Sequence, residues 1–272
     1  MRLAFTIAYL GDHFFGSQQQ NSNRTVEGEF IATCKRLNLF DDWREAKFAF
    51  AGRTDRGVHA FGQVCSFTTD LPQRAVECLN LQLPRDCWCR GYAEVDEDFH
   101  PRYAARSRTY RYYLIEPSLD ITPMAEAARY FEGTHNFSSI ARTEGRNPLR
   151  TLHRVRVWKE DPFIIIEVQG ESFLWHMVRG MTTVLREVGA GTADSGKVTT
   201  LLEKTMKDRV SPAPAEGLVL WEVDCGIRFI PVPLGERHEG YLTVEQKKHQ
   251  LQGKIISLLH CHDTFSPTPR AS

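Results

Sequence analysis

Residues 51–60 read A-G-R-T-D-R-G-V-H-A, a polar stretch between two short runs at 48–51 and 63–67. Short runs of this kind bounded by glycine read as strands, so the stretch between them is a connection at a sheet edge. Gly52 and Gly57 bracket the Arg-Thr-Asp triplet and open backbone conformations closed to other residues. Asp55 then projects from a rigid edge, a favourable mount for a catalytic carboxylate. The same spacing also suits an aspartate that bonds its own backbone in an Asx-turn.

Outward from the turn, the alternation of Leu3, Phe5, Ile7 and Tyr9 predicts a strand over 2–9, followed by a Gly- and Gln-rich loop. Val26, Phe30, Cys34 and Leu37 recur at helical spacing and predict a helix from about Thr25. A helix near 74–81 and a strand over 87–95 complete a first α+β unit. The second half repeats the mixture: a strand over 109–115, a helix over 124–131, paired strands over 151–158 and 163–168, and a last buried strand over 218–223. Phe173, Met177, Met181, Val184 and Val188 predict a long core-facing helix with Arg179 off its apolar stripe. We therefore divide the chain into an N-terminal half, 1–103, with the Asp55 turn, a C-terminal half, 104–230, with Tyr110 and Arg179, and a peripheral extension, 231–272. The extension contains one short helical stretch near 244–259.

The 272 residues can bury a sizeable core, and 42% hydrophobic with 25% charged residues excludes disordered, collagen-like and disulfide-scaffold classes. Apolar runs such as 163–166 fall far short of the roughly 18 residues of a membrane span. No small-residue cleavage site precedes Asp12 and His13, so the start reads as a strand rather than a secretory signal. Seven cysteines, an odd number in a chain that needs no staples, point to a reducing cytoplasm. Cys78, Cys87 and Cys89 lack the spacing of a zinc hook and His260-Cys261-His262 stands isolated, so no metal is assigned. Without a P-loop or dinucleotide fingerprint, no cofactor is expected. His59 and His176 read as hydrogen-bonded structural histidines.

Thirty-four Lys and Arg balance thirty-four Asp and Glu, yet between 102 and 156 ten arginines meet only five acids. Tyr103, Tyr110, Tyr112 and Tyr113 are interleaved with them. Arginine forks with aromatic rings compose surfaces that hold RNA, and they also compose ordinary solvated faces.

The turn A-G-R-T-D-x-G-V-H-A resembles the signature of the TruA family of tRNA pseudouridine synthases. Residues 9–20, Y-L-G-D-H-F-F-G-S-Q-Q-Q, are similar to that family's opening motif. Residues 99–113, with Phe99-His100, Arg102, Arg108, Tyr110 and Tyr112, resemble its second segment, Phe173 to Arg179 its F-x-x-H-M-V-R helix, and 215–218 its closing A-E-G-L. Leu10, Ser17 and Gln19 depart from the family's usual Asp, Trp and Arg, and Arg56 stands where Ala is frequent.

The resemblance implies an α+β pseudouridine synthase fold: two ferredoxin-like halves joined through a continuous mixed sheet around a central basic cleft. It also implies a homodimer with tRNA across both subunits. The expected targets are uridines on the 3′ side of the anticodon stem-loop, tRNA positions 38, 39 or 40. Carried over residue by residue, Asp55 is the expected catalytic aspartate, Arg179 the cation that holds its carboxylate, and Tyr110 the ring under the target base. Arg53 would steady the backbone the flipped nucleotide leaves, and Arg56, Arg106, Arg108 and Arg150 are further candidate RNA contacts. A different class, an RNA-binding or tRNA chaperone protein with weakened activity on the same fold, is opposed by the presence of Asp55, Tyr110 and Arg179. A carboxylate phosphotransferase would need acidic residues for Mg²⁺ near Asp55, where the turn supplies arginines.

Overall fold

A computed structural model describes residues 1–203 and 210–260. Cys261 and His262 lie outside the described residues. The first unit runs β1 (Arg2–Tyr9), α1 (Val26–Arg36), β2 (Ala49–Phe50), β3 (His59–Thr68), α2 (Pro72–Gln82) and β4 (Cys87–Glu94). A short helix α3 (Pro101–Ala104) leads to the second: β5 (Ser107–Leu114), α4 (Ile121–Arg129), β6 (Gly133–Asn136), β7 (Leu149–Glu160), β8 (Phe163–Gly170), α5 (Met177–Gly189), α6 (Gly196–Glu203) and β9 (Leu218–Asp224). β10 (Ile230–Pro231) and α7 (Glu236–His260) follow.

Local chemistry explains the elements. Thr25 caps α1, its Oγ1 accepting from the Gly28 N–H at 3.2 Å, and Glu27 and Glu29 open the helix while Lys35 and Arg36 close it, in the sense the helix dipole favours. On α5, Met177, Met181, Val184, Leu185 and Val188 are all buried, as their spacing predicts. Phe173 is not part of this helix. His176 takes φ 64°, a left-handed conformation, and the helix begins only after it.

Pairing is β10-β4-β1-β3-β9-β5-β8-β7-β6, with β2 beside β3. In the first unit the strands lie β4-β1-β3-β2, and in the second β9-β5-β8-β7, with every neighbour within a unit antiparallel. The expected ferredoxin-like order thus occurs twice. The units join where β3 and β9 run parallel, His59 against Val219 and Ala60 against Leu220. Gly62 permits this joint, because a Cβ there would sit 2.5 Å from the Trp221 carbonyl oxygen.

One hydrophobic cluster runs through both units. In the first, Phe5, Phe30, Phe48 and Phe67 stack or tilt against one another, and a ring fully buried this way contributes about 1.5–3 kcal/mol. Arg2, only 3% exposed, donates to the Phe99 and Lys47 carbonyls and the Ser66 hydroxyl, so the chain's start is knitted into the sheet. α7 is one helix of 25 residues, longer than the stretch expected, and His238 is its only buried residue. Among the described residues no helix is long and apolar enough to cross a membrane.

Candidate active site

The turn between β2 and β3 is tied down from several sides. Gly57 takes φ +82°, and the Val58 N–H returns to the Asp55 carbonyl at 3.2 Å. Gln63 Nε2 and Arg108 Nη2 donate to the carbonyls of Gly52 and Ala51 at 2.9 and 2.8 Å. Buried Ser17 brackets Thr54: its Oγ accepts from the Thr54 N–H at 2.8 Å, and its own N–H donates to the Thr54 carbonyl at 3.0 Å. The Thr54 hydroxyl meets the Tyr9 hydroxyl at 2.8 Å. His59 accepts the Gly11 N–H at Nδ1 (3.0 Å), while its Nε2 lies 3.1 Å from the Glu216 carbonyl, so the ring ties the opening loop to the chain before β9.

What this scaffold presents is the Asp55 side chain, 30% exposed in a cleft of about 720 Å³. Asp55 Oδ1 accepts from the Trp175 indole N–H at 2.9 Å. Oδ2 has Arg179 Nη1 and His176 Nε2 each at 3.4 Å. Arg179 projects from the first turn of α5, and its Nε donates to the Ala213 carbonyl at 2.6 Å. His176 is no cation here. Burial lowers its pKa from the ordinary 6.5, outweighing the opposing pull of Asp55, so at neutral pH its approach to the carboxylate is not an ion pair.

Tyr110, 8% exposed, lines the same cleft from β5, and its ring forms a T-shaped pair with Phe173, centroids 5.0 Å apart and planes at 76°. Burial pushes its phenol up to about 12, with Arg108 opposing and Asp55 reinforcing, so the ring is neutral and its hydroxyl protonated.

The arginines divide. Arg53, Arg102, Arg108, Arg146 and Arg179 line the cleft against four carboxylates, Glu27, Asp55, Glu144 and Glu171. Arg108 is engaged with three carbonyls, those of Ala51, Arg102 and Glu171. Arg56 is exposed beside the turn and lies over the Phe15 ring at 4.3 Å. Arg106 is exposed and does not line the cleft, and Arg150, at the start of β7, bonds the carbonyls of Asn147 and Leu149 just before it. Arg111 and Arg154 clasp Glu167 at 2.9 and 3.0 Å on the other face of the sheet, because residues alternate along a strand and Arg111 points away from Tyr110.

Sequence reasoning gave Trp175 no part and His176 only a structural one. Both stand against Asp55 because the left-handed residue at 176 turns the chain just before α5. Spacing rules for helices carry no such signal.

A family model described as tRNA pseudouridine synthase matches residues 6–104 and 127–224. Among curated relatives, tRNA pseudouridine synthase A of Methanoculleus marisnigri is 54% identical over 259 residues, covering 95% of this chain and 96% of that protein. The proteins of the same name from Methanosphaerula palustris and Thermococcus sibiricus are 46% and 45% identical, each over 95% of this chain and over 92% and 100% of their own lengths. Among solved structures, a Cbf5-Nop10-Gar1 complex aligns at 14% identity over 68% of this chain and 45% of that one, with a TM-score of 0.37, too slight a likeness to argue from. A model matched over most of the chain and relatives this similar along their whole length leave one assignment: this chain belongs to the tRNA pseudouridine synthase family.

Proposed function

We propose that this pseudouridine synthase isomerises uridines on the 3′ side of the tRNA anticodon stem-loop, with Asp55 as the reacting carboxylate. The observation that carries the reading is the meeting of Asp55, from the first unit, with Arg179, from the second, in a cleft whose floor includes Tyr110. A base inside a stacked stem is out of reach, so the nucleotide must flip, at a cost of a few kcal/mol. Tyr110, neutral and in a T-shaped pair with Phe173, lines the cleft as the platform for the flipped base, and exposed Arg53 at the cleft offers a fork to the phosphates beside the gap.

Asp55 then either attacks the nucleotide or removes the C2′ proton to give a glycal. Either way the N1–C1′ bond breaks, the base turns in the pocket and C5 bonds to C1′; Asp55 is freed in the same stage, by giving its proton back to C2′ in the glycal route or by losing its bond to the nucleotide in the other, and the C5 proton is lost while N1 gains one. Nothing is consumed. Arg179 Nη1, 3.4 Å from Oδ2, sets a positive charge beside the carboxylate from which either route starts.

Activity in a cytoplasmic homodimer, with tRNA across both subunits, completes the reading. It is tested by incubating a tRNA transcript with the purified protein alone and mapping pseudouridine by base-specific chemistry and primer extension. Modification confined to the 3′ side of the anticodon stem-loop is expected. Modification only elsewhere in the tRNA overturns the choice of target.

A further inference from the structure

Two hydrogen bonds reach the Asp55 carboxylate, and their donors differ in kind. Arg179 supplies a full charge at 3.4 Å from Oδ2, too long to fix a carboxylate's rotation by itself. Trp175 supplies no charge, but its indole N–H reaches Oδ1 at 2.9 Å, the short contact of the pair. Its backbone is anchored. The Arg142 N–H donates to the Trp175 carbonyl at 2.9 Å in an isolated β-bridge, and the next residue is the left-handed His176, directly before α5. Its ring is flanked too, by the Arg142 guanidinium 4.8 Å from the centroid and the His176 ring at 4.5 Å.

We propose that Trp175 is a positioning residue: it fixes the carboxylate by binding Oδ1 and leaves Oδ2, which has no donor closer than 3.4 Å, as the reacting oxygen. This rests on Asp55 being the reacting carboxylate. Direction and charge are then supplied separately, direction by the indole and charge by the guanidinium. An oxygen that attacks carbon or takes a proton needs an unshared lone pair, and a short donor at Oδ1 withdraws that oxygen from the reaction. At 39% exposed, Trp175 sits at the cleft wall rather than in the core, so its ring is not needed to fill an interior.

The test is single-turnover kinetics with enzyme in excess over a tRNA transcript, which separates the maximal rate from the half-saturating concentration. Trp175→Phe keeps the ring and removes the N–H. A hydrogen bond to a charged group accounts for about tenfold to a hundredfold in rate, and that loss is expected in the maximal rate with half-saturation nearly unchanged. Trp175→His, which restores a ring N–H, should recover part of it. An unchanged maximal rate overturns the proposal, and so does a loss confined to half-saturation or to thermal stability. Should neither variant fold, the parent protein still answers: one of its five indole N–H resonances must shift when Asp55→Ala removes the acceptor, and no shift overturns the contact. Asp55→Asn serves as the separate control. Turnover surviving in Asp55→Asn defeats the underlying reading, whereas a silent Trp175→Phe defeats only this inference.

Discussion

The two ferredoxin-like units share a strand order but differ at one position: β2 has two residues and its counterpart β7 has twelve. In the second unit that strand pairs β8 along nearly its full length and is itself covered by β6. In the first, β3 divides the same edge between two partners, β2 at Ser66 and Cys65 and β9 at His59 and Ala60. The chain between, residues 51–58, has no strand to pair with and becomes the turn that carries Asp55. The shortened strand therefore opens the site, and the joint between the units brings Arg179, Trp175 and Tyr110 to it.

If the turn exists to present Asp55, Asp55→Asn should break function while leaving the comparison of the units intact. The amide is nearly isosteric but cannot be an anion. Turnover should fall by several orders of magnitude, with urea midpoint and tRNA affinity almost unchanged. Single-turnover rates within tenfold of the parent would remove Asp55 from the chemistry.

The joint itself is probed through Arg179. Arg179→Ala leaves the Asp55 carboxylate without its cation and the Ala213 carbonyl without its donor, and stability should fall by about 1–3 kcal/mol. Repeated in Asp55→Asn, the same change should cost less, since only the Ala213 bond is then lost. Additive losses in that cycle would mean that the 3.4 Å approach contributes nothing. Within the first unit, Ser17→Ala takes the acceptor from the buried Thr54 N–H, for a loss of about 1 kcal/mol and a lower turnover as the turn loosens. That Ser17 stands where the resembled family usually has Trp sharpens the point, because here a small hydroxyl does the bracing by hydrogen bonds rather than by bulk.

Much of this was legible beforehand. Alternation placed β1, the strands expected over 109–115 and 163–168 fell within about two residues of β5 and β8, and the three- and four-residue spacing on α5 announced its buried face, a local consequence of side-chain period. The Asp55 turn stood out through its glycines, and its likeness to a family signature extended that to Arg179 and Tyr110. Three features were hidden for physical reasons. The β3–β9 pairing is parallel and joins residues about 160 apart, a contact that local pattern does not encode. Arg111 and Arg154 counted toward a basic cluster by composition, yet strand alternation turned them to the far face and onto Glu167. Trp175 depends on a single positive φ at His176, which its sequence does not announce.

The smallest effect distinguishes two histidines, His176 just before α5 and His238 on α7. Burial lowers the pKa of both His176 and His238 from the ordinary 6.5, and each has a buried ring nitrogen without a partner, Nδ1 in His176 and Nε2 in His238. The sign follows from proton counting. With the folded values depressed, the unfolded chain binds more protons as the solution acidifies, so stability is full above pH 6.5 and declines as pH falls through that value. His100 shifts in the same direction and shares the slope. His176→Gln and His238→Gln should each flatten the dependence of the urea midpoint on pH between about 5 and 7, by less than any change above. Their activities should part. Only the first faces Asp55, at 3.4 Å from Oδ2, so only His176→Gln should alter the acid limb of the single-turnover rate. Equal pH profiles of activity for the two variants would show that protonating His176 does not reach the carboxylate.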